Sequence, residues 1–221
     1  MNEPAVLEAV GVTVLFDGHG VLQDFSMSLG AGETAVLTGP SGGGKSTALR
    51  CFLGFVVPQA GSVHIEGAPL TAETVWHLRR RLAYVGQEPD LGTGTAREAI
   101  ERPFHYRANA ALRPNLERLS ELFERFALSE ALLRKDVGAL SGGEKQRIAL
   151  ISAILLDRRI FLLDEITSAL DKISKQIVAD YFQSRDDATA LIVAHDPELF
   201  AFADQTIQIS APPSAGGRDH D

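Results

Sequence analysis

Apolar and polar positions change period several times along the chain, and each change marks an expected element. From Val6 to Val14, and again from Gln23 to Leu29, apolar and polar side chains approximately alternate, the two-residue period of a strand with one covered face. Asp17-Gly18-His19-Gly20 between them is turn chemistry, so an antiparallel hairpin is expected. Ala35-Val36-Leu37-Thr38 and Leu82-Ala83-Tyr84-Val85 read instead as buried strands. Ile160-Phe161-Leu162-Leu163 is continuously apolar, as a parallel strand covered on both faces must be, and Leu191-Ile192-Val193-Ala194 repeats it. Gly61-Ser62-Val63-His64-Ile65-Glu66-Gly67 is a further short strand bounded by glycines. From Thr95 the period lengthens. Thr95-Ala96-Arg97-Glu98 is a capping-box pattern, and Leu116, Leu119, Leu122, Phe123 and Phe126 recur at helical spacing. Pro103 and Pro114 divide this stretch into several short helices. Ser141, with Glu144 reaching back, caps another helix whose apolar pattern runs from Ile148 to Leu156.

Composition narrows the classes. A chain of 221 residues can bury one sizeable α/β core, or a core with an inserted subdomain, and one compact unit is the default. Its net charge of -8 argues against nucleic acid held by bulk electrostatics, because phosphate backbones are gripped by clustered Lys and Arg. The single cysteine, Cys51, excludes an internal disulfide, and its place on the expected helix makes it a small core residue rather than a nucleophile. No apolar run reaches the ~18 residues of a membrane span, and Met1-Asn2-Glu3-Pro4 lacks the basic-then-apolar order of a signal peptide, so the chain itself should be soluble. Residues 1–210 are expected to form the domain, and Ala211 to Asp221 a disordered tail, since nothing there can bury a core.

The chemistry concentrates in Gly39-Pro40-Ser41-Gly42-Gly43-Gly44-Lys45-Ser46-Thr47, which reads G-x-x-x-x-G-K-S between a buried strand and the opening of a helix at Ala48. Its glycines let successive backbone N–H groups face one anion, Lys45 reaches the outer phosphates, and Ser46 offers a hydroxyl to Mg²⁺. The helix N-terminus adds a favourable dipole. Asp164-Glu165 follows a doubly buried strand, where adjacent acids are hard to explain as packing. In phosphate-loop ATPases the first acid serves the metal, through the loop serine or water, and the second orients and deprotonates the attacking water. Gln87 and His195 also follow strands. Ligands of open α/β sheets lie beyond the strands' carboxyl ends, where the loop, Gln87, the acid pair and His195 would all sit. Gln87 could coordinate the metal or its water, or lie in an ordinary surface loop. Phe16 could stack on adenine or belong to the core. The N-terminus capped by Ser141 could receive an anion or be simply well capped.

Taken together, these residues resemble the ATP-binding subunits of ABC transporters from about Val6 to Ile209. The likeness rests on Phe16, the loop Gly39 to Thr47, Gln87, the signature Leu140-Ser141-Gly142-Gly143-Glu144, the pair Asp164-Glu165, Ser168-Ala169-Leu170-Asp171 and His195, in that order. The signature separates this family from kinases and GTPases. The resemblance implies a RecA-like phosphate-loop core, an antiparallel β-subdomain and an inserted α-helical subdomain at about Glu88 to Ala139. It also implies a homodimer clamping two ATP molecules, in which Ser141, Gly142 and Gly143 meet the γ-phosphate held by the partner cassette. Lys45, Ser46 and Thr47 would then bind phosphate and Mg²⁺, and Asp164 would stand on the metal side. Glu165 would be the general base, with His195 holding the γ-phosphate and water. Gln87 would sense the γ-phosphate and couple to a separate transmembrane subunit, and Asp171 would link the two sites. Such a chain works in the cytoplasm, peripheral to the inner face of the plasma membrane.

Two positions depart from the family's commonest pattern: Ile166 replaces a proline after the acid pair, and Ser152 stands where an arginine often follows. Neither removes a catalytic group. Leu163 to Asp171, with Glu124-Arg125-Phe126-Ala127-Leu128 upstream, resembles the small ATPases assigned to bacterial iron export. The alternative is a soluble ABC ATPase acting on a cytosolic partner, as in iron–sulfur assembly.

Overall fold

The computed structural model describes residues 5–209, so the expected tail lies outside the described residues. The chain opens with the hairpin β1 (Leu7–Phe16) and β2 (His19–Leu29), followed by β3 (Thr34–Thr38) and α1 (Lys45–Phe52). β4 (Ala60–Ile65), β5 (Ala68–Pro69), α2 (Val75–Arg79) and β6 (Leu82–Val85) come next. The middle stretch holds α3 (Ala96–Glu101) and α4 (Leu119–Arg125), joined and followed by 3₁₀ turns. α5 (Gly142–Leu155), β7 (Ile160–Asp164), α6 (Lys172–Gln183), β8 (Thr189–Val193) and β9 (Gln205–Gln208) complete it.

Several boundaries differ from the expected ones. The hairpin turn is only Asp17-Gly18, both at positive φ, and His19 and Gly20 already pair in β2. β4 ends at Ile65, leaving Glu66-Gly67 as the turn into β5. α1 begins at Lys45, three residues before Ala48, because the left-handed Gly44 ends the phosphate loop abruptly.

Two sheets result. An antiparallel one has the order β2-β1-β4-β5, and a parallel one the order β6-β7-β8-β3-β9. The central strands β7, β8 and β3 bury both faces against different interiors. Phe161 and Leu163 of β7, Ala190 and Ile192 of β8, and Val36 of β3 face a core shared with α3 to α6. Their neighbours Ile160, Leu162, Leu191, Val193, Ala35 and Leu37 face a second core under α1 and the antiparallel sheet. The period of two thus explains why continuous apolar runs, rather than alternating ones, mark these strands. Phe104, Phe123 and Phe126, all fully buried, fill the first core beneath the helical stretch. The capping boxes at Thr95 and Ser141 both form, each hydroxyl accepting from the N–H of a glutamate that bonds back to the cap's own N–H.

Candidate nucleotide site

The phosphate loop, Gln87, the acid pair and His195 all stand at the carboxyl end of the parallel sheet. β3 runs into the loop Gly39–Gly44, where Gly39, Gly42 and Gly44 have φ of 142°, 74° and 97°. A side chain at Gly44 would strike Val21 O at 2.6 Å, so the antiparallel hairpin closes directly over the loop's end. A cavity of about 340 Å³ is lined by Ser41, Gly42, Gly44, Lys45, Ser46, Thr47, Gln87, Glu165 and His195. The structure therefore brings together the loop and the residues that follow three other strands.

Lys45 is 5% exposed, and its ammonium donates to Gly39 O at 2.9 Å and Pro40 O at 3.0 Å. Both partners are carbonyls, and its ammonium makes no hydrogen bond to a carboxylate among the described residues. A buried cation satisfied only by dipoles suits the arrival of an anion. Ser46 donates its hydroxyl to Asp164 Oδ1 at 3.0 Å, placing two hard oxygens side by side, a donor set suited to Mg²⁺ that is otherwise held by phosphates. Burial pushes the Asp164 carboxyl above its ordinary range, the Ser46 hydrogen bond opposes this, and the neighbouring Glu165 charge adds to it.

Glu165 adopts a left-handed backbone conformation at φ 51°, and its Oε1 lies 2.8 Å from His195 Nε2. Its carboxylate is mostly buried while the histidine is half exposed. A non-glycine residue held in this region costs on the order of 1–3 kcal/mol, a cost that persists where surroundings dictate it. Here the Glu165 N–H is fixed to Val193 O at 3.0 Å and its carbonyl accepts from Ser168 N at 3.0 Å.

The remaining candidates are placed differently. Phe16 ends β1 opposite His19 and is 47% exposed, which removes the core alternative for it. Ser141, Gly142, Gly143 and Asp171 do not line the phosphate cavity. Ser141 caps α5 and Asp171 caps α6, accepting from Ser174 N at 2.8 Å. Gln87 also borders a second, larger groove of about 840 Å³ between the core and the helical stretch, with Arg50, Tyr84, Arg102, Tyr106 and Ser152 on its walls.

Sequence reasoning overlooked Gln146 and Arg147. Gln146 is buried and donates to Gly86 O at 3.1 Å, tying α5 to the strand end that carries Gln87. Its signal was a polar residue on the helix face of Leu150, four residues on.

The chain matches the family model described as ABC transporter over residues 22–168. It is 34% identical over 218 residues to the probable iron export ATP-binding protein FetA of Escherichia coli, covering 97% of this chain and 94% of that protein. It is 33% identical to the energy-coupling factor transporter ATP-binding protein EcfA1 of Latilactobacillus sakei, over 85% of this chain and 68% of that one. Among solved structures, the dimeric bacterial ABC transporter cassette MJ0796 superposes with a TM-score of 0.82 at 25% identity, covering 93% of this chain and 94% of that one. Its post-hydrolysis state bound to ADP and Pi superposes at 0.78 and 26% identity, covering 93% and 96%. With phosphate loop, acid pair and histidine assembled at the carboxyl end of one parallel sheet and this likeness spanning nearly the whole length, the chain belongs to the ABC transporter family as an ATP-binding cassette.

Proposed function

We propose that the chain is the ATP-hydrolysing motor of a metal exporter, iron being the favoured cargo, and that it works as a head-to-tail homodimer beneath a separate membrane subunit. The observation that carries the dimer is spatial: the phosphate cavity is lined by the loop, Gln87, Glu165 and His195, while the signature Ser141-Gly142-Gly143 lies off its walls. A second copy supplying that signature completes the site, a reading supported by the dimeric form of the MJ0796 cassette. The cargo reading rests on the likeness to FetA.

In this reading the loop's N–H groups and Lys45 hold the β- and γ-phosphates of ATP. Mg²⁺, held by Ser46 and Asp164 together with the phosphates, would offset charge on the phosphate oxygens. Glu165 accepts the proton of the water that attacks the γ-phosphorus, and the bond to the β-phosphate oxygen breaks in line. His195, whose Nε2 stands 2.8 Å from Glu165 Oε1, orients that carboxylate and the γ-phosphate. Phe16, exposed at the hairpin end, stacks on adenine. In this reading the groove beside Gln87 receives a cytoplasmic segment of the membrane subunit, with the chain on the inner face of the plasma membrane; the groove's size and its place next to Gln87 support that role. No helix among the described residues is long and apolar enough to cross a membrane.

Glu165→Gln tests this directly. The variant should bind MgATP as tightly as the parent, lose turnover by two or more orders of magnitude, and accumulate as an ATP-dependent dimer on gel filtration. Unchanged turnover would remove Glu165 as the base, and a strictly monomeric variant in saturating MgATP would remove the sandwich.

A further inference from the structure

Arg147 lies six residues beyond the capping serine of α5 and outside the phosphate cavity, yet its guanidinium joins three separate elements. Nε donates to Gly143 O at 3.2 Å, inside the first turn of the signature helix. Nη1 is shared among Phe126 O at 3.2 Å, Ala127 O at 3.3 Å and Ser174 Oγ at 3.1 Å. The two carbonyls belong to the end of α4, where Ala127 turns left-handed at φ 51° and leaves them without helical partners. Ser174 is buried, and its N–H is the donor that Asp171 accepts. A continuous hydrogen-bonded path therefore runs from Asp171 through Ser174 and Arg147 to Gly143.

The same elements touch by packing. A side chain at Gly143 would approach Ala169 O to 3.0 Å, and one at Gly142 would meet Ala169 Cβ at 3.5 Å. The 168–171 loop thus rests against the signature turn, and only small residues permit that approach. Lysine could not replace Arg147 here, because a single ammonium cannot span acceptors on three elements as a planar fork does.

We propose that Arg147 is a positioning residue that makes the signature turn, the 168–171 loop and the end of α4 one rigid unit, so that they meet a partner protomer together. This rests on the sandwich reading above. Loss of the fork lets the signature turn and Asp171 find their partners separately, which weakens closure while leaving the protomer's own phosphate loop untouched.

The test uses the Glu165→Gln chain as parent and reads two quantities: MgATP affinity in dilute, monomeric protein, and the dissociation constant of the dimer in saturating MgATP by sedimentation. Arg147→Met should raise the dimer constant at least tenfold and change monomer affinity less than twofold. Arg147→Lys should fall between. Ser174→Ala, which deletes one hydroxyl and keeps the fold, should move the dimer constant in the same direction by a smaller factor. Adding it to Arg147→Met should change nothing further, since its contribution runs through the guanidinium. Dimerisation of Arg147→Met as tight as the parent's overturns the proposal, as does an equal loss of monomer affinity. Should Arg147→Met not fold, an unchanged dimer constant in Ser174→Ala overturns it. A parent that itself stays monomeric removes the sandwich reading, and the proposal with it, which separates the two failures.

Discussion

Lys45 is a buried ammonium whose partners are the carbonyls of its own loop, so its replacement removes charge from the phosphate cradle without leaving a carboxylate stranded. Lys45→Ala should weaken MgATP binding by about 10–100-fold, the worth of a charged hydrogen bond, as measured by calorimetric titration. Asp164 bears the opposite cost. Burial raises its folded pKa, so its ionisation opposes folding: the penalty is absent below the unfolded carboxyl's pKa, grows as pH climbs toward the folded one, and is complete above it. Asp164→Asn should therefore melt at a higher temperature than the parent at neutral pH, and the gap should shrink as pH falls. The same variant should lose Mg²⁺-dependent nucleotide affinity. Burial likewise pushes the Cys51 thiol up to about 11, so it should resist alkylation at pH 8 in the native protein and react once denaturant exposes it. Of these residues the loop, the acid pair and His195 could be read from strand-then-turn patterns alone. The left-handed Glu165 could not, because glutamate carries no preference for that conformation and the Val193 and Ser168 bonds that impose it are tertiary or lie in the turn beyond.

At the level of elements, legibility followed burial. The interiors of β3, β7 and β8 are continuously apolar because each faces a core on both sides, and such runs announce themselves. β9 did not, since Gln205-Thr206-Ile207-Gln208 is a polar edge strand made by pairing with β3. α6 hid for another reason. Its cap Asp171 has Ser174 rather than Glu or Gln at the third helical position, so no capping box marked its start. The helical stretch was visible as several short pieces, and its packing is testable. Phe123→Ala, emptying a fully buried site among Phe104 and Phe126, should cost about 3–5 kcal/mol in denaturant titration. Thr95→Ala, which loses only a cap, should cost about 1 kcal/mol.

For the whole molecule, the decisive geometry is the separation of two surfaces. The phosphate cavity and the groove of about 840 Å³ share Gln87 and Ser46 on their walls, so a partner seated in the groove would bear on residues proposed to touch nucleotide. Ser152→Trp should fill part of that groove and reduce co-purification of the proposed membrane subunit from co-expressing cells, while the isolated chain still binds MgATP. The parallel sheet also stands as a wall between two apolar rooms, with odd and even residues of each strand furnishing opposite sides. Deleting one residue within β7 would exchange the furniture of both rooms at once and draw the acid pair back by about 3.3 Å from the loop it serves. Length variation in such a chain is therefore confined to its turns, and the spacing of its strand interiors is as fixed as the identity of the residues at their tips.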